Sequence, residues 1–171
     1  MRGLTPCRSC ASGEPGLCTS AAEGNLSPGM LIGFCRDLSG GWSEELVVHR
    51  SQIFPVPDAL SDATAVLIEP FSVAVHAVLK APPPPESKVL IVGAGSIGLL
   101  VLAALRLLGN TAHVTVLTRH PIQEQMAKRF GADVVLRGKS AGDAATQIAG
   151  AKRYKPVKGK PVYAGGFDWV F

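Results

Sequence analysis

The segment Gly93-Ala94-Gly95-Ser96-Ile97-Gly98 constrains this chain more than any other part of it. It is a G-x-G-x-x-G placed between the apolar run Val89-Leu90-Ile91-Val92 and an apolar stretch over residues 96–108 that reads as a helix and stops before Gly109. In such a motif the first glycine allows a tight turn, the second lets a charged group approach the backbone, and the third packs helix against strand. A helix opening there offers unpaired N–H groups and a positive dipole end, which suit a diphosphate. Glycine-rich turns are common, so the motif gains meaning only from a strand before it and a helix after it. Both are present, which predicts that Gly93, Gly95, Ser96, Ile97 and Gly98 hold a dinucleotide.

The same texture continues downstream. Val114-Thr115-Val116-Leu117 reads as a second strand, residues 123–130 as a helix closed by Gly131, and Val134-Val135-Leu136 as a third strand. Residues 143–151 form a further candidate helix, and residues 167–171 a fourth strand. Strands and helices alternating at this spacing predict a parallel sheet flanked by helices, the α/β arrangement of a partial Rossmann fold.

The end of the second strand should select the ribose. An acid there accepts from a 2′-hydroxyl, whereas a neutral residue beside an arginine admits a 2′-phosphate. The sequence has Leu117-Thr118-Arg119-His120, with no acid. Thr118 can donate to a phosphate and Arg119 can form a charge-assisted pair with it, so NADP is expected ahead of NAD. The plainer reading makes Arg119 a solvated residue after a strand.

Upstream, residues 1–29 are rich in Gly, Ser, Pro and Cys and have no regular period, so they need an external staple. Residues 30–57 read as short strands around the turn at Ser39-Gly40-Gly41. Ser61 or Asp58 can cap a helix in which Ala63, Val66 and Leu67 recur, and the pattern resumes through Val73, Ala74, Ala77 and Val78. Pro70 lies between the two, which predicts two helical pieces meeting near Glu69-Pro70. The stiff run Pro82-Pro83-Pro84-Pro85 is the expected domain boundary.

Cys7, Cys10 and Cys18 form C-x2-C-x7-C, whereas a secreted disulfide framework would spread its cysteines more evenly. The x2 spacing lets two thiolates converge on one ion, and zinc can staple a coreless loop. A closed site needs four ligands. Cys35 is either the fourth or a buried thiol in the apolar stretch Leu31-Ile32-Gly33-Phe34-Cys35.

Taken in order, the cysteine lobe, the strand-like Gly40-Gly41-Trp42-Ser43-Glu44-Glu45-Leu46-Val47-Val48, the segment Ile68-Glu69-Pro70-Phe71-Ser72-Val73-Ala74-Val75-His76-Ala77 and the glycine turn resemble the medium-chain dehydrogenase/reductase family. The likeness is to its zinc-type alcohol, sorbitol and threonine dehydrogenases. That family's zinc lobe is C-x2-C-x2-C-x7-C. Cys7, Cys10 and Cys18 match its last three positions, and Leu4 stands at the first. The resemblance implies that residues 1–81 are the C-terminal part of a β-rich, GroES-like catalytic domain with its zinc lobe and linking helix. Residues 82–171 would then be the first half of a Rossmann NAD(P)-binding domain. It implies a structural zinc on Cys7, Cys10 and Cys18. Glu69 would be the catalytic residue, a ligand or immediate neighbour of a second, catalytic zinc. On spacing alone Glu69 would be a helix-surface glutamate, and His76 reads as a packed or surface histidine.

The implied activity is zinc-dependent hydride transfer between a small alcohol or polyol and NADP (or NAD), in a homo-oligomeric, cytoplasmic enzyme. The family's catalytic Cys and Gly-His-Glu do not occur in this chain, so the chain alone is expected to be inactive. Rival readings are a nucleotide-binding remnant without chemistry, a small zinc-binding interaction module, and a zinc-independent quinone-reductase relative, which the cysteine lobe disfavours.

Composition bounds the remaining options. At 171 residues, 47% hydrophobic and 18% charged, the chain has material for a packed core. No secretory signal is expected from Met1-Arg2-Gly3-Leu4-Thr5-Pro6. Nothing approaches the roughly 20 uninterrupted apolar residues of a span, so no membrane partner is expected. The net charge is +4, with Lys152, Arg153, Lys155, Lys158 and Lys160 clustered late. Without aromatic–basic interleaving no nucleic-acid partner is expected, and the cluster is either a solvated loop or a surface that attracts anionic cofactors.

Overall fold

The structure, a computed structural model, describes residues 5–20, 37–38, 40–48 and 50–171. It divides into two compact units, Met1–Pro57 and Asp58–Phe171.

In the first unit a single turn of helix, α1 (Arg8–Ala11), is followed by a 3-10 turn at Pro15–Leu17. A second 3-10 turn spans Arg50–Gln52. The expected strands from residue 30 onward are not found among the described residues: residues 45–48 and 53–57 are irregular, and residues 30–35 and 49 lie outside the description. A strand exists only with a hydrogen-bonded neighbour, and no described segment of this unit supplies one.

The second unit opens with α2 (Asp62–Ala65) and α3 (Ile68–Lys80). The helical pieces meet at Val66-Leu67, not at Glu69-Pro70 as the proline suggested. Pro70 is the third residue of α3, within the first turn, where an N–H has no intrahelical acceptor. The ring therefore costs α3 no hydrogen bond. Asp62–Lys80, 19 residues of mean hydropathy 1.4, passes the length and composition test for a membrane span. It is interrupted by Glu69 and His76, and α3 packs against the helix that follows the glycine turn, burying Ala74 and Val78.

Then come β1 (Lys88–Val92), α4 (Ser96–Leu107), β2 (His113–Thr118), α5 (Pro121–Arg129), β3 (Val134–Arg137) and α6 (Ala141–Gln147). A short antiparallel pair, β4 (Lys152–Tyr154) and β5 (Val162–Ala164), precedes β6 (Trp169–Val170). The main sheet has the order β3-β2-β1-β6, and every pair is parallel. The β-α-β alternation read from sequence is thus present, with the ends of β1 to β3, α4 and α5 shifted by one or two residues. The last helix ends four residues early, at Gln147, and the fourth strand is shortened to two residues.

A parallel sheet covered on both faces needs apolar side chains on both, and β1 and β2 supply them. Val89, Ile91, Val114 and Val116 join Val101, Leu102, Ala104 and Leu105 of α4 and Ala127 of α5 in one cluster. Leu90 and Leu117 point the other way, to Ala144 of α6, with Leu136 and Phe167 beside them. Burying each large aliphatic side chain contributes about 1.5–3 kcal/mol. Strand β6 is held to β1 by a reciprocal pair, Asp168 N–H to Lys88 O at 2.8 Å and Lys88 N–H to Asp168 Oδ2 at 2.8 Å. The Trp169 indole donates to Ala81 O at 3.0 Å, tying that strand to the chain after α3.

Candidate functional site

The strand-to-helix turn takes the form its glycines predict. Gly93 has a φ of +104°, a conformation that L side chains rarely adopt. At Gly98 a Cβ would overlap the Gly93 carbonyl oxygen and lie 3.2 Å from Ile91 Cγ2, so only glycine lets α4 sit this close to β1. At Gly95 a Cβ would meet nothing within 4 Å: the backbone there faces open space. Gly95 is also the N-cap of α4 and has no side chain to satisfy the first N–H groups. The result is an uncapped twelve-residue helix behind a gap next to bare backbone. That arrangement fits a diphosphate.

At the carboxyl end of β2 the two predicted selector residues differ. Arg119 is exposed, and its guanidinium has no acceptor among the described residues; its main-chain N–H donates to Gln123 Oε1 at 2.9 Å. Thr118 is only 2% exposed, and its Oγ1 is buried without a hydrogen-bond partner. Thr118 is the last residue of β2 and pairs in register with Arg137 of β3. Thr115 in mid-strand is orphaned in the same way, so an unpaired hydroxyl is not peculiar to the strand end. One residue escaped the sequence reading. Arg137 is the parallel-register partner of Thr118, and its Nε lies 3.5 Å from Glu124 Oε2. Only strand register, which the sequence does not spell out, brings it there.

In the first unit Cys7, Cys10 and Cys18 converge, their sulfurs within 4.8 Å of one another. The turn of α1 places Cys7 and Cys10 three residues apart on one side, with Ala11 N–H bonded to Cys7 O at 2.9 Å. Gly13, with a φ of +84°, turns the chain, and the 3-10 turn at Pro15–Leu17 returns Cys18. Donors from the Cys10 backbone, then from the backbone and hydroxyl of Thr19, hold the Cys7 thiol down at about 6. Hydrogen bonding to Cys18 and then to Cys7 pushes Cys10 up to about 11. One sulfur is ready to lose its proton while its neighbour keeps one. A cation among three soft donors resolves that conflict. Zn–S bonds of about 2.3 Å set sulfurs about 3.8 Å apart in a tetrahedron, inside the 4.8 Å limit that the three sulfurs keep. Three donors fit zinc but do not close its shell, and Cys35 lies outside the described residues.

Glu69 stands exposed in the first turn of α3, and His76 is exposed on the same helix. Among the described residues no second group of three or more metal-ligating side chains gathers around either. Within the first unit the structure gathers the three cysteines, and within the second it sets the glycine turn and Arg119 at the carboxyl ends of the neighbouring strands β1 and β2; Glu69 joins no metal-ligating group among the described residues.

Comparison with known proteins gives relatives along most of the chain, though no family model matches it. Sorbitol dehydrogenase of Bacillus subtilis is 32% identical over 129 residues, 72% of this chain and 36% of the relative. (R,R)-butanediol dehydrogenase of Saccharomyces cerevisiae is 31% identical over 166 residues, 97% of this chain and 38% of the relative. Among solved structures, a Sinorhizobium meliloti protein bound to NADP superposes with a TM-score of 0.66 at 34% identity, covering 84% of this chain and 39% of the other. The chain spans little more than a third of the length of the curated relatives it matches.

Proposed function

On the premise that the chain's homologues are the zinc-type alcohol, sorbitol and threonine dehydrogenases of the medium-chain dehydrogenase/reductase family, we propose that it is an internal portion of such an enzyme, with NADP as coenzyme. In the complete protein, residues 1–81 form the end of the GroES-like catalytic domain and residues 82–171 the first half of the Rossmann domain. The observation that carries the reading is the uncapped α4 N-terminus behind the open space at Gly95, with Arg119 on the same carboxyl edge of the sheet.

Each group has a part in this reading. The N–H groups of Ser96, Ile97 and Gly98 hold the diphosphate, and Gly93 and Gly95 keep the approach free of side chains. Arg119 pairs with the 2′-phosphate, and Thr118, its hydroxyl buried, ends the strand that presents Arg119. Cys7, Cys10 and Cys18 hold a structural zinc, and Glu69 approaches a catalytic zinc whose other ligands come from residues outside this chain. When bound, zinc and nicotinamide supply a Lewis acid for an alcohol oxygen and a carrier for hydride. This chain's own residues bind and orient the adenosine half, because two β-α units do not complete a nicotinamide pocket. The substrate is a small alcohol or polyol, and the complete enzyme is a cytoplasmic homo-oligomer.

Fluorescence titration of the complete enzyme tests the coenzyme assignment. NADP should bind at least about tenfold tighter than NAD, and Arg119→Ala should remove most of that margin. Equal or tighter binding of NAD would refute it. The 171-residue chain alone should show no steady turnover of any alcohol with either coenzyme.

A further inference from the structure

Between α6 and β6 the chain carries a hairpin that the parallel sheet does not require. The strands β4 and β5 pair Lys152 with Ala164, Arg153 with Tyr163 and Tyr154 with Val162, and form a separate two-stranded sheet. The β1-to-β2 and β2-to-β3 crossovers contain a helix and two loops and nothing more. This segment bears Lys152, Arg153, Lys155, Lys158 and Lys160, all exposed, with no acid from residue 152 to residue 167. None of the five joins an ion pair among the described residues. Asp143, the acid that feels Arg153, is already engaged by the Ser140 hydroxyl at 2.8 Å and its amide at 3.0 Å.

Chain direction fixes where these charges stand. The first turn of α6 follows the end of β3 after three residues, so it lies at the carboxyl end of the parallel strands. Tyr163 lies against Gly142 in that turn, where a Cβ would overlap its ring. Gly166 lies against Ala145 further along α6, with 3.6 Å to a Cβ placed on the glycine. The strand β5 therefore runs in the direction of α6, and β4 runs back toward the carboxyl edge. By that direction the connecting residues 155–161 fall on the side of the start of α6, the carboxyl edge that also carries the glycine turn and Arg119.

We infer that this hairpin is a cationic flap over the coenzyme edge, with Lys155, Lys158 and Lys160 drawing in the phosphates of the dinucleotide. The inference rests on the dinucleotide reading above and adds a region of the chain to it. Three lysines within six residues repel one another unless an anion lies among them. A coenzyme with a 2′-phosphate gains more from them than one without. Such charges act over roughly 10 Å at 0.1 M salt, so they speed capture without needing a fixed contact.

Stopped-flow binding of etheno-labelled 2′-phospho-ADP and ADP to the full chain tests this. The triple variant Lys155→Glu, Lys158→Glu, Lys160→Glu should slow association of 2′-phospho-ADP about tenfold or more at low salt, and that of ADP less. The difference should fade in about 0.5 M salt, and dissociation should change by less than about twofold. Arg119→Ala should have the opposite signature, with faster dissociation and nearly unchanged association. A triple alanine variant should act in the same direction more weakly, with an unchanged thermal midpoint. Association at the unmodified rate in the triple glutamate variant, with binding intact, would overturn the flap and leave the dinucleotide reading standing. Failure of the unmodified chain to bind either probe would remove the dinucleotide reading itself.

Discussion

The guanidinium of Arg106, near the end of α4, meets the carboxylate of Asp133, just before β3, at 2.7 Å. The same oxygen, Asp133 Oδ2, accepts the Val114 amide at 2.6 Å. Arg106 also donates to three carbonyls, of Gly131 at 2.9 Å, Asn110 at 2.9 Å and Ala112 at 3.0 Å. One side chain thus closes the end of α4, the start of β2 and the loop before β3 at the amino edge of the sheet, opposite the glycine turn.

The ion pair itself is part-exposed and contributes little. The carbonyls matter more, because two of these bonds are part-buried and their acceptors would be left without donors. Arg106→Ala should therefore cost about 2–3 kcal/mol. For a chain of this size that lowers the thermal midpoint by roughly 5–10 °C. Asp133→Asn, which keeps an oxygen for the Val114 amide, should cost less. Thermal denaturation of the two variants measures the order.

The cysteines should differ in reactivity once metal is removed. With its thiol held at about 6, Cys7 is largely thiolate at neutral pH, while Cys10, raised to about 11, stays protonated. In the presence of a chelator, iodoacetamide should label Cys7 first and Cys10 last, as read by mass spectrometry of the peptides. Added zinc should protect all three, because a coordinated thiolate is not free to attack.

Asp143 supplies a pH dependence with a definite sign. The Ser140 side chain, then its amide, holds the Asp143 carboxyl below its usual 3.8, with Lys139 and Arg153 adding to this. A carboxylate depressed in the folded state stabilises the fold above the unfolded-state value and loses that contribution as pH falls through the folded one. Ser140→Ala should move the Asp143 midpoint upward in an NMR titration, lower stability at neutral pH and flatten this carboxylate's share of the fall in stability on acidification. An unmoved midpoint would place the cause elsewhere.

How much of this was legible depended on the length of each pattern. The runs 89–92 and 114–117 are apolar on both faces, so β1 and β2 were visible without tertiary information, and the glycines between β1 and α4 named their own turn. The strands β4 and β5 were not visible, because Lys-Arg-Tyr and Val-Tyr-Ala are too short to show a period; pairing alone makes them strands. The expected helix over residues 143–151 is shorter and begins earlier, set by the reciprocal Ser140–Asp143 cap. Pro70 misled because a proline inside a helical pattern reads as a break, yet in a first turn it breaks nothing. The cysteine spacing foretold that the three sulfurs converge, while Arg137 entered only through its register with Thr118.

Whether backbone amides at the start of α4 grip a dinucleotide's diphosphate is read by calorimetric titration of 2′-phospho-ADP into the chain, with Gly95→Asp alongside. Since a Cβ at residue 95 meets nothing within 4 Å, the variant should fold with an unchanged thermal midpoint. The added carboxylate should nevertheless weaken binding at least about tenfold, by occupying the approach and repelling the phosphates. Equal affinity in the folded variant and the unmodified chain would mean that the diphosphate does not bind at the start of α4.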